Sequence, residues 1–229
     1  MKYEDLKKLY DEMKEIYGDE AYKHVSELLI KAKDIHARDW SKNPTPNGDH
    51  EQSWRAFKGK NLERLIQDII TDEVTSLGLK VINGNTLELS VKLSKELSQV
   101  KRNLAINYGI FGMHLPDVDI IIYEPKNYKV LAVISSKVTL RERIAQTGYW
   151  KLKLLQDENT RHIKVYFVTP DEDGTLTKKK PAKKGRAIVE VDLDGSYVLT
   201  EENIEESDKV KLFSRFIDDL RRLLENEYS

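Results

Sequence analysis

The chain has 229 residues, no cysteine, 34% charged residues and a formal net charge of −1 at pH 7. Its length suits one large domain with its own core, and the lack of cysteine excludes disulfides, cysteine-ligated zinc and thiol catalysis. Because no apolar stretch is long enough to span a membrane and no secretion signal is visible, we expect a soluble cytoplasmic protein without a membrane partner.

The first part of the chain is predicted to be a helical subdomain, residues 1–52. Apolar residues recur every three or four positions over residues 2–39, with a break at Gly18, and this spacing is typical of helices with one buried face. Residues 41–53 contain two prolines and a glycine, which predicts a loop. The core with a C-terminal helix would then occupy residues 53–229.

The core is predicted to alternate between helices and strands. In chain order we expect a helix at 53–77, a strand, an Asn-Gly turn and a second strand at 79–90, a weak helix at 91–105, strands at 119–123 and 130–134, a helix at 138–157, a strand at 162–169, a loop at 170–186, a strand at 187–193 and a helix at 206–226. This order predicts a mixed α/β fold in which helices flank one central mixed sheet.

The predicted hairpin gathers polar groups at one end of an apolar sheet. Asp117 and Asp119 lie at the start of one strand, and Ser135 and Lys137 lie at the end of the next. Alternate residues of a strand share a face. A carboxylate at this place can bind Mg²⁺, and a lysine can orient water or stabilise charge on a phosphate. These groups are the minimum for metal-assisted phosphodiester hydrolysis.

The segment from Pro116-Asp117 to Ser135-Ser136-Lys137 resembles the PD-(D/E)xK nucleases, and the resemblance extends over roughly residues 55–170. It implies a core of helix, antiparallel hairpin, helix and strand, and Mg²⁺-dependent cleavage of DNA. Ser135 stands where the motif has its second acid and cannot act as an anionic ligand. Because the first core helix of this family often contributes an acid, Glu63 is the candidate for the missing carboxylate.

Two aspartates compete for the leading role at the metal. The name of the family points to Asp117, whereas Asp119 directly precedes the apolar run and therefore sits on the strand itself, which favours Asp119. The alternative interpretation is structural: the aspartates would be turn and strand-edge residues, Lys137 a solvated strand end, and Glu63 an ordinary acid on a helix surface.

A second motif, SKVTLRER at residues 136–143, resembles the K-x-(S/T)-x-R-(D/E)-R signature of type II restriction endonucleases that read CCGG or CC-n-GG-type sites. The resemblance implies that Arg141 and Arg143 read guanine and Glu142 reads cytosine from a helix in the major groove. The planar arginine fork suits guanine O6 and N7. Those enzymes recruit a later glutamate on the following helix, where this chain has Gln146 and Trp150. The alternative interpretation of residues 141–143 is a solvated charged turn.

The basic run KKKPAKKGR at residues 178–186 is a candidate for contacts with DNA phosphates or for a solvated loop tip. Its candidate DNA-binding residues are Lys178, Lys179, Lys180, Lys183 and Lys184.

The resemblance implies a type II restriction endonuclease that binds double-stranded DNA as a homodimer, since twofold symmetry matches a palindromic site. The helices of the N-terminal subdomain and the C-terminal helix are the candidates for dimerisation or for clasping DNA. Two alternatives are a structure-selective repair or junction-resolving nuclease, and a non-catalytic DNA-binding module with a decayed nuclease core.

Overall fold

Strands from the middle and the end of the chain form one mixed sheet. The computed structural model describes residues 1–44, 48–138 and 141–228, with side chains except at 141, 142 and 226–228. The strands are β1 (Lys80–Asn83), β2 (Ile106–Asn107), β3 (Met113–His114), β4 (Ile120–Tyr123), β5 (Val130–Ser136), β6 (Lys164–Thr169), β7 (Gly195–Val198) and β8 (Val210–Leu212). The central sheet has the order β1-β4-β5-β6-β7-β8, while β2 and β3 form a separate small hairpin.

Strand direction changes within the central sheet. β4 is antiparallel to both β1 and β5, whereas β5, β6, β7 and β8 are parallel to one another. The predicted hairpin of two apolar strands is therefore confirmed, and together with β1 it forms the antiparallel part of the sheet.

Helices cover both faces of this sheet. They are α1 (Tyr3–Tyr17), α2 (Val25–Lys42), α3 (His50–Ser76), α4 (Gly84–Leu89), α5 (Lys95–Leu104), α6 (Arg141–Leu155), α7 (Lys184–Asp192) and α8 (Phe216–Tyr228). Ile120 and Ile122 of β4 pack with α1, α2, α3 and α8, whereas Ile121 and Tyr123 pack with α4, α5, α6 and α7. This alternation with a period of two gives three layers, helices, sheet and helices, and confirms the mixed α/β class. No helix within the described ranges is long and apolar enough to cross a bilayer.

The predicted hairpin at 79–90 is wrong after its first strand, because Asn83 starts helix α4 rather than a turn. Its side chain accepts a hydrogen bond from the Asn85 amide at 3.0 Å, which caps the helix. Gly84 is needed for a close approach of two backbones: a Cβ there would lie 1.9 Å from the Val118 carbonyl oxygen. The Gly84 amide also donates to the Asp119 carbonyl at 2.9 Å, so this glycine supports the segment that enters β4.

The predicted strand at 187–193 is also wrong, because these residues lie mostly in α7. β-Branched residues favour a strand there, but burial follows a helical spacing: Arg186, Val189 and Leu193 are buried and Val191 is 80% exposed. Contacts with the sheet therefore override local propensity.

The remaining differences concern boundaries. The last helix begins at Phe216 rather than near residue 206, because β8 pairs with β7, and neither strand is part of the sequence prediction. The predicted loop at 41–53 is shorter, since α2 extends to Lys42 and Asp49 caps α3; residues 45–47 lie outside the described part. α1 ends at Gly18, as predicted, where φ is +58°.

Candidate active site

Three charged side chains meet at one end of the β4–β5 hairpin. Asp119 immediately precedes β4, Lys137 immediately follows β5, and Glu63 lies in the middle of α3. The Asp119 amide donates to the carbonyl of Ile134 at 3.0 Å, so the antiparallel register brings the two strand ends side by side. Lys137 Nζ donates to Glu63 Oε1 and lies 3.5 Å from Asp119 Oδ1. We call these three residues the acid–lysine cluster.

Burial and repulsion between the two carboxylates raise the pKa of Glu63 in the acid–lysine cluster. Glu63 and Asp119 are each only 8% exposed. The pKa of Glu63 is raised to about 7, first by burial and next by the negative charge of Asp119, although the hydrogen bond from Lys137 lowers it. Asp119 Oδ2 accepts a hydrogen bond from the Ser136 amide at 2.7 Å. A buried carboxyl with a strongly raised pKa beside an open cleft is typical of functional sites.

The donor set of this cluster fits a hard divalent cation. Within the described ranges, no group of three or more histidine, aspartate or glutamate side chains is arranged to hold a metal. The cluster itself has two carboxylates, Glu63 and Asp119. This number suits Mg²⁺, which is usually held by one or two carboxylates with water and substrate phosphates completing its shell. The repulsion that raises the pKa of Glu63 is the repulsion that a bound cation relieves.

The other two candidate catalytic residues lie outside the acid–lysine cluster. Asp117 Oδ2 accepts hydrogen bonds from Arg143 Nη1 at 2.6 Å and from Gln146 Nε2 at 2.9 Å. Ser135 is buried in β5 opposite Phe167, and among the described side chains no hydrogen bond joins it to the cluster. The geometry thus separates Asp119 from Asp117.

An open cleft of about 1140 Å³ adjoins the acid–lysine cluster, between α3, α6 and the start of α7. Asp173 contributes a carboxylate to its lining. The cationic side chains among its described lining residues are Arg55, Lys58, Lys137, Arg143, Lys183 and Lys184. Arg141 and Glu142 open α6 at the same end, but their side chains lie outside the described part. Because the described lining has six cationic side chains and one carboxylate, the cleft is positively charged and suited to a polyanion.

The basic run at 178–186 divides into three parts. Lys178, Lys179 and Lys180 are exposed and do not line the cleft, whereas Lys183 and Lys184 do. Arg186 is fully buried and serves the fold. It donates to the carbonyl oxygens of Leu176 and Glu205 and pairs with Glu190 Oε1 at 2.8 Å.

Arg55 and Lys58 line the cleft but are absent from the sequence prediction. Arg55 could have been predicted from its spacing. Arg55, Gly59 and Glu63 follow one another at intervals of four residues and therefore share one face of α3. The position of Gly59 is open, since a Cβ there would meet nothing within 4 Å. Lys58 pairs with Glu172 at 3.1 Å, whereas Arg55 makes no ion pair with any described residue.

The raised pKa of Glu63 predicts a pH-dependent stability difference from a Glu63→Gln variant, measured by urea unfolding with EDTA present. The unfolded chain releases the Glu63 proton near pH 4.5, whereas the folded protein retains it up to about pH 7. Stability contributed by this site therefore falls as pH rises through that window and then levels off. The variant is expected to gain stability relative to the parent between pH 5 and pH 8, and a constant difference would contradict the assigned environment.

Comparisons with known proteins point to one family. The family model described as BsaWI restriction endonuclease type 2 matches residues 96–219, more than half of the chain. A protein of Methanocaldococcus jannaschii named as type II restriction enzyme MjaVIP is 38% identical over 211 residues, which cover 86% of this chain and 92% of that protein. A Helicobacter pylori protein named as type II restriction enzyme HpyAORF263P is 39% identical over 131 residues, covering 57% of this chain and 67% of that protein.

Similarity to a solved structure agrees with the fold. The crystal structure of restriction endonuclease AgeI in complex with DNA superposes with a TM-score of 0.56 at 14% identity, covering 96% of this chain and 91% of that one. At this identity the likeness establishes the fold, which is the PD-(D/E)xK type that the hairpin motif predicts, and enzymes with this fold usually require a divalent metal. The extent of the family match and the length of the M. jannaschii alignment decide the assignment. The chain belongs to the BsaWI family of type II restriction endonucleases and is a site-specific deoxyribonuclease.

Proposed function

We propose that this restriction endonuclease uses Mg²⁺ to cleave double-stranded DNA at a short palindromic sequence of the CCGG or CC-n-GG type. The observation that carries the proposal is the acid–lysine cluster, Glu63, Asp119 and Lys137, beside a cationic cleft. The cluster supplies the groups that phosphodiester hydrolysis needs, and the cleft supplies a surface for the DNA backbone.

Each member of the cluster has a distinct role in this proposal. Glu63 and Asp119 hold Mg²⁺, and we prefer Asp119 to Asp117 because Asp119 reaches Lys137. When bound, Mg²⁺ supplies a positive charge that offsets the charge developing on the phosphodiester. Lys137 lies against both carboxylates, where its ammonium orients the attacking water and donates to a phosphate oxygen. In-line attack by this water forms a new bond to phosphorus and breaks the bond between phosphorus and O3′. The products are a 5′-phosphate and a 3′-hydroxyl, and the proton released by the water passes to solvent.

Recognition is assigned to the first turn of α6 and to the lysine-rich loop. We propose that Arg141 and Arg143 read guanine and that Glu142 accepts from cytosine N4. Lys183 and Lys184 contact phosphates in the cleft, and the exposed residues Lys178, Lys179 and Lys180 contact them farther along the duplex. Phosphate contacts of this kind position a protein on DNA but do not read its sequence.

The assembly is proposed to be a homodimer, which places one acid–lysine cluster at each strand of a palindromic site. Residues 1–52 and α8 are the proposed elements for dimerisation or for clasping DNA. Helices α1, α2 and α8 pack on the sheet face that also carries α3, where Leu6, Leu28, Leu62 and Phe216 share one apolar cluster. A change in these helices would therefore also reach the helix that bears Glu63.

Cleavage assays on matched substrates test the proposed function against its alternatives. The protein is incubated with linear duplex, branched duplex and either Mg²⁺ or EDTA. Discrete fragments from linear duplex, formed only with Mg²⁺, are expected. Cutting confined to branched DNA would instead support a junction-resolving nuclease. Salt-dependent binding without any cutting would support a decayed, non-catalytic module.

The cleft predicts a salt effect that is independent of DNA sequence. Arg55→Ala and Lys184→Ala are each expected to weaken binding to every duplex and to reduce the slope of log K against log salt by about 1. The matched control is Lys126→Ala, because Lys126 is exposed in the β4–β5 turn at the opposite end of the hairpin. An unchanged slope for both cleft variants would contradict this path of the DNA.

A further inference from the structure

Asp117, Arg143 and Gln146 form a closed cycle of hydrogen bonds at the start of α6. Arg143 Nη1 donates to Asp117 Oδ2 at 2.6 Å and to Gln146 Oε1 at 2.5 Å. Gln146 Nε2 donates to the same Asp117 oxygen at 2.9 Å. Both ends of the Gln146 amide are thus occupied, and each member of the cycle is held by the other two.

The hydrogen bonds of this cycle do not involve one edge of Arg143. An Nη1 group carries two hydrogens, and both are used by Asp117 and Gln146. Among the described residues, no acceptor binds Nε or Nη2 of Arg143, although its side chain is only 33% exposed. The Nε–Nη2 edge therefore keeps two parallel N–H donors, the geometry that a guanine accepts through O6 and N7.

The identity of residue 146 is explained by the charges in the cycle. One carboxylate, one guanidinium and one neutral amide balance, whereas a glutamate at position 146 would place a second negative charge beside Asp117. Gln146 can accept from Arg143 and donate to Asp117 at the same time, which a carboxylate cannot do. The residue that departs from the restriction-enzyme pattern thus suits orientation of an arginine rather than metal binding.

We propose that Asp117 is a positioning residue for recognition: together with Gln146 it holds Arg143 so that its Nε–Nη2 edge faces a base pair. The inference rests on the proposed function, since it assigns Arg143 to base reading. In this role Asp117 is not a metal ligand. Because Asp117 lies two residues before Asp119, a short stretch of backbone joins the residue that holds Arg143 to the proposed metal ligand.

Binding constants in Ca²⁺ for the cognate duplex and for a duplex with one substituted G·C pair test this role. Asp117→Ala is expected to reduce the preference for the cognate duplex about tenfold, and Asp117→Asn, which can still accept from Arg143, to reduce it less. Arg143→Ala should cause the loss seen with Asp117→Ala, and the double variant should lose no more, since both act through one contact. In single-turnover cleavage with Mg²⁺, Asp117→Ala should raise the half-saturating enzyme concentration far more than it lowers the maximal rate.

Three results would overturn the inference. Loss of the maximal cleavage rate with intact preference would return Asp117 to the metal site. Additive losses in the double variant would separate Asp117 from Arg143, and tighter cognate binding by Asp117→Ala would show that the cycle restrains Arg143. These failures differ from failure of the proposed function, in which the parent protein itself does not cut or shows no preference among duplexes; absence of any preference would overturn both.

Discussion

Asp119→Asn and Lys137→Ala are each expected to lower the single-turnover rate of DNA cleavage by about 10²- to 10³-fold. Asparagine keeps the size of Asp119 but removes a negative ligand, and alanine removes the ammonium that contacts both carboxylates. Binding to cognate duplex should remain within a small factor of the parent, because neither residue is assigned to base reading. The measurement is single-turnover cleavage at saturating enzyme beside equilibrium binding in Ca²⁺.

The matched control for this pair is Lys126→Ala, which removes a lysine from the far end of the same hairpin and should cut at the parental rate. Urea unfolding shows whether each variant is folded. If Asp119→Asn cuts normally and Asp117→Asn does not, the carboxylates have been assigned in the wrong order. If Lys137→Ala retains the parental rate, the cluster is not the catalytic centre.

Arg186→Met is expected to lower the free energy of unfolding by about 3–5 kcal/mol, because it breaks a buried ion pair and leaves its partners unsatisfied. Arg186 is fully buried, pairs with Glu190 and donates to the carbonyl oxygens of Leu176 and Glu205. It therefore connects α7 to the segments on either side. Methionine fills a similar volume but cannot donate a hydrogen bond.

Urea unfolding measures this effect as a lower transition midpoint with an unchanged slope. Arg161→Met is the matched control, since Arg161 is exposed and pairs only with Glu158 among the described residues; a change within about 0.5 kcal/mol is expected there. A loss below about 1 kcal/mol for Arg186→Met would contradict the structural role of Arg186. It would also contradict the assignment of this arginine to the fold and of the lysines of the basic run to DNA phosphates.

Strand alternation was sufficient to predict where Asp119 and Lys137 lie, because both flank apolar strands that pair directly along the chain. Glu63 was predictable only through the family resemblance, since its contact with Lys137 spans 74 positions and no local pattern marks it. Alternation places Asp117 and Asp119 on the same face, and only the position of Asp119 beside the apolar run favours it over Asp117. The side chain of Asp117 is oriented by Arg143 and Gln146, whose positions depend on how α6 packs.

The errors in secondary structure have the same origin. Residues 187–193 include three β-branched residues, but α7 forms because the buried side chains of Arg186 and Val189 share one helical face. β8 follows the acid-rich residues 201–208 and pairs with β7, although the sequence predicts that it is part of the last helix. In both places tertiary contacts decide the structure, and a single sequence does not display them.

Glu63, Asp119 and Lys137 are proposed to be the catalytic centre of a site-specific endonuclease. The most direct test is to digest genomic DNA with Mg²⁺ and sequence the fragment ends, using the parent protein and Asp119→Asn in parallel. Ends produced by the parent protein are expected to carry 5′-phosphates and to share one short palindromic sequence, whereas Asp119→Asn should yield no such ends. Ends without a common sequence, or identical cutting by both proteins, would contradict this proposal.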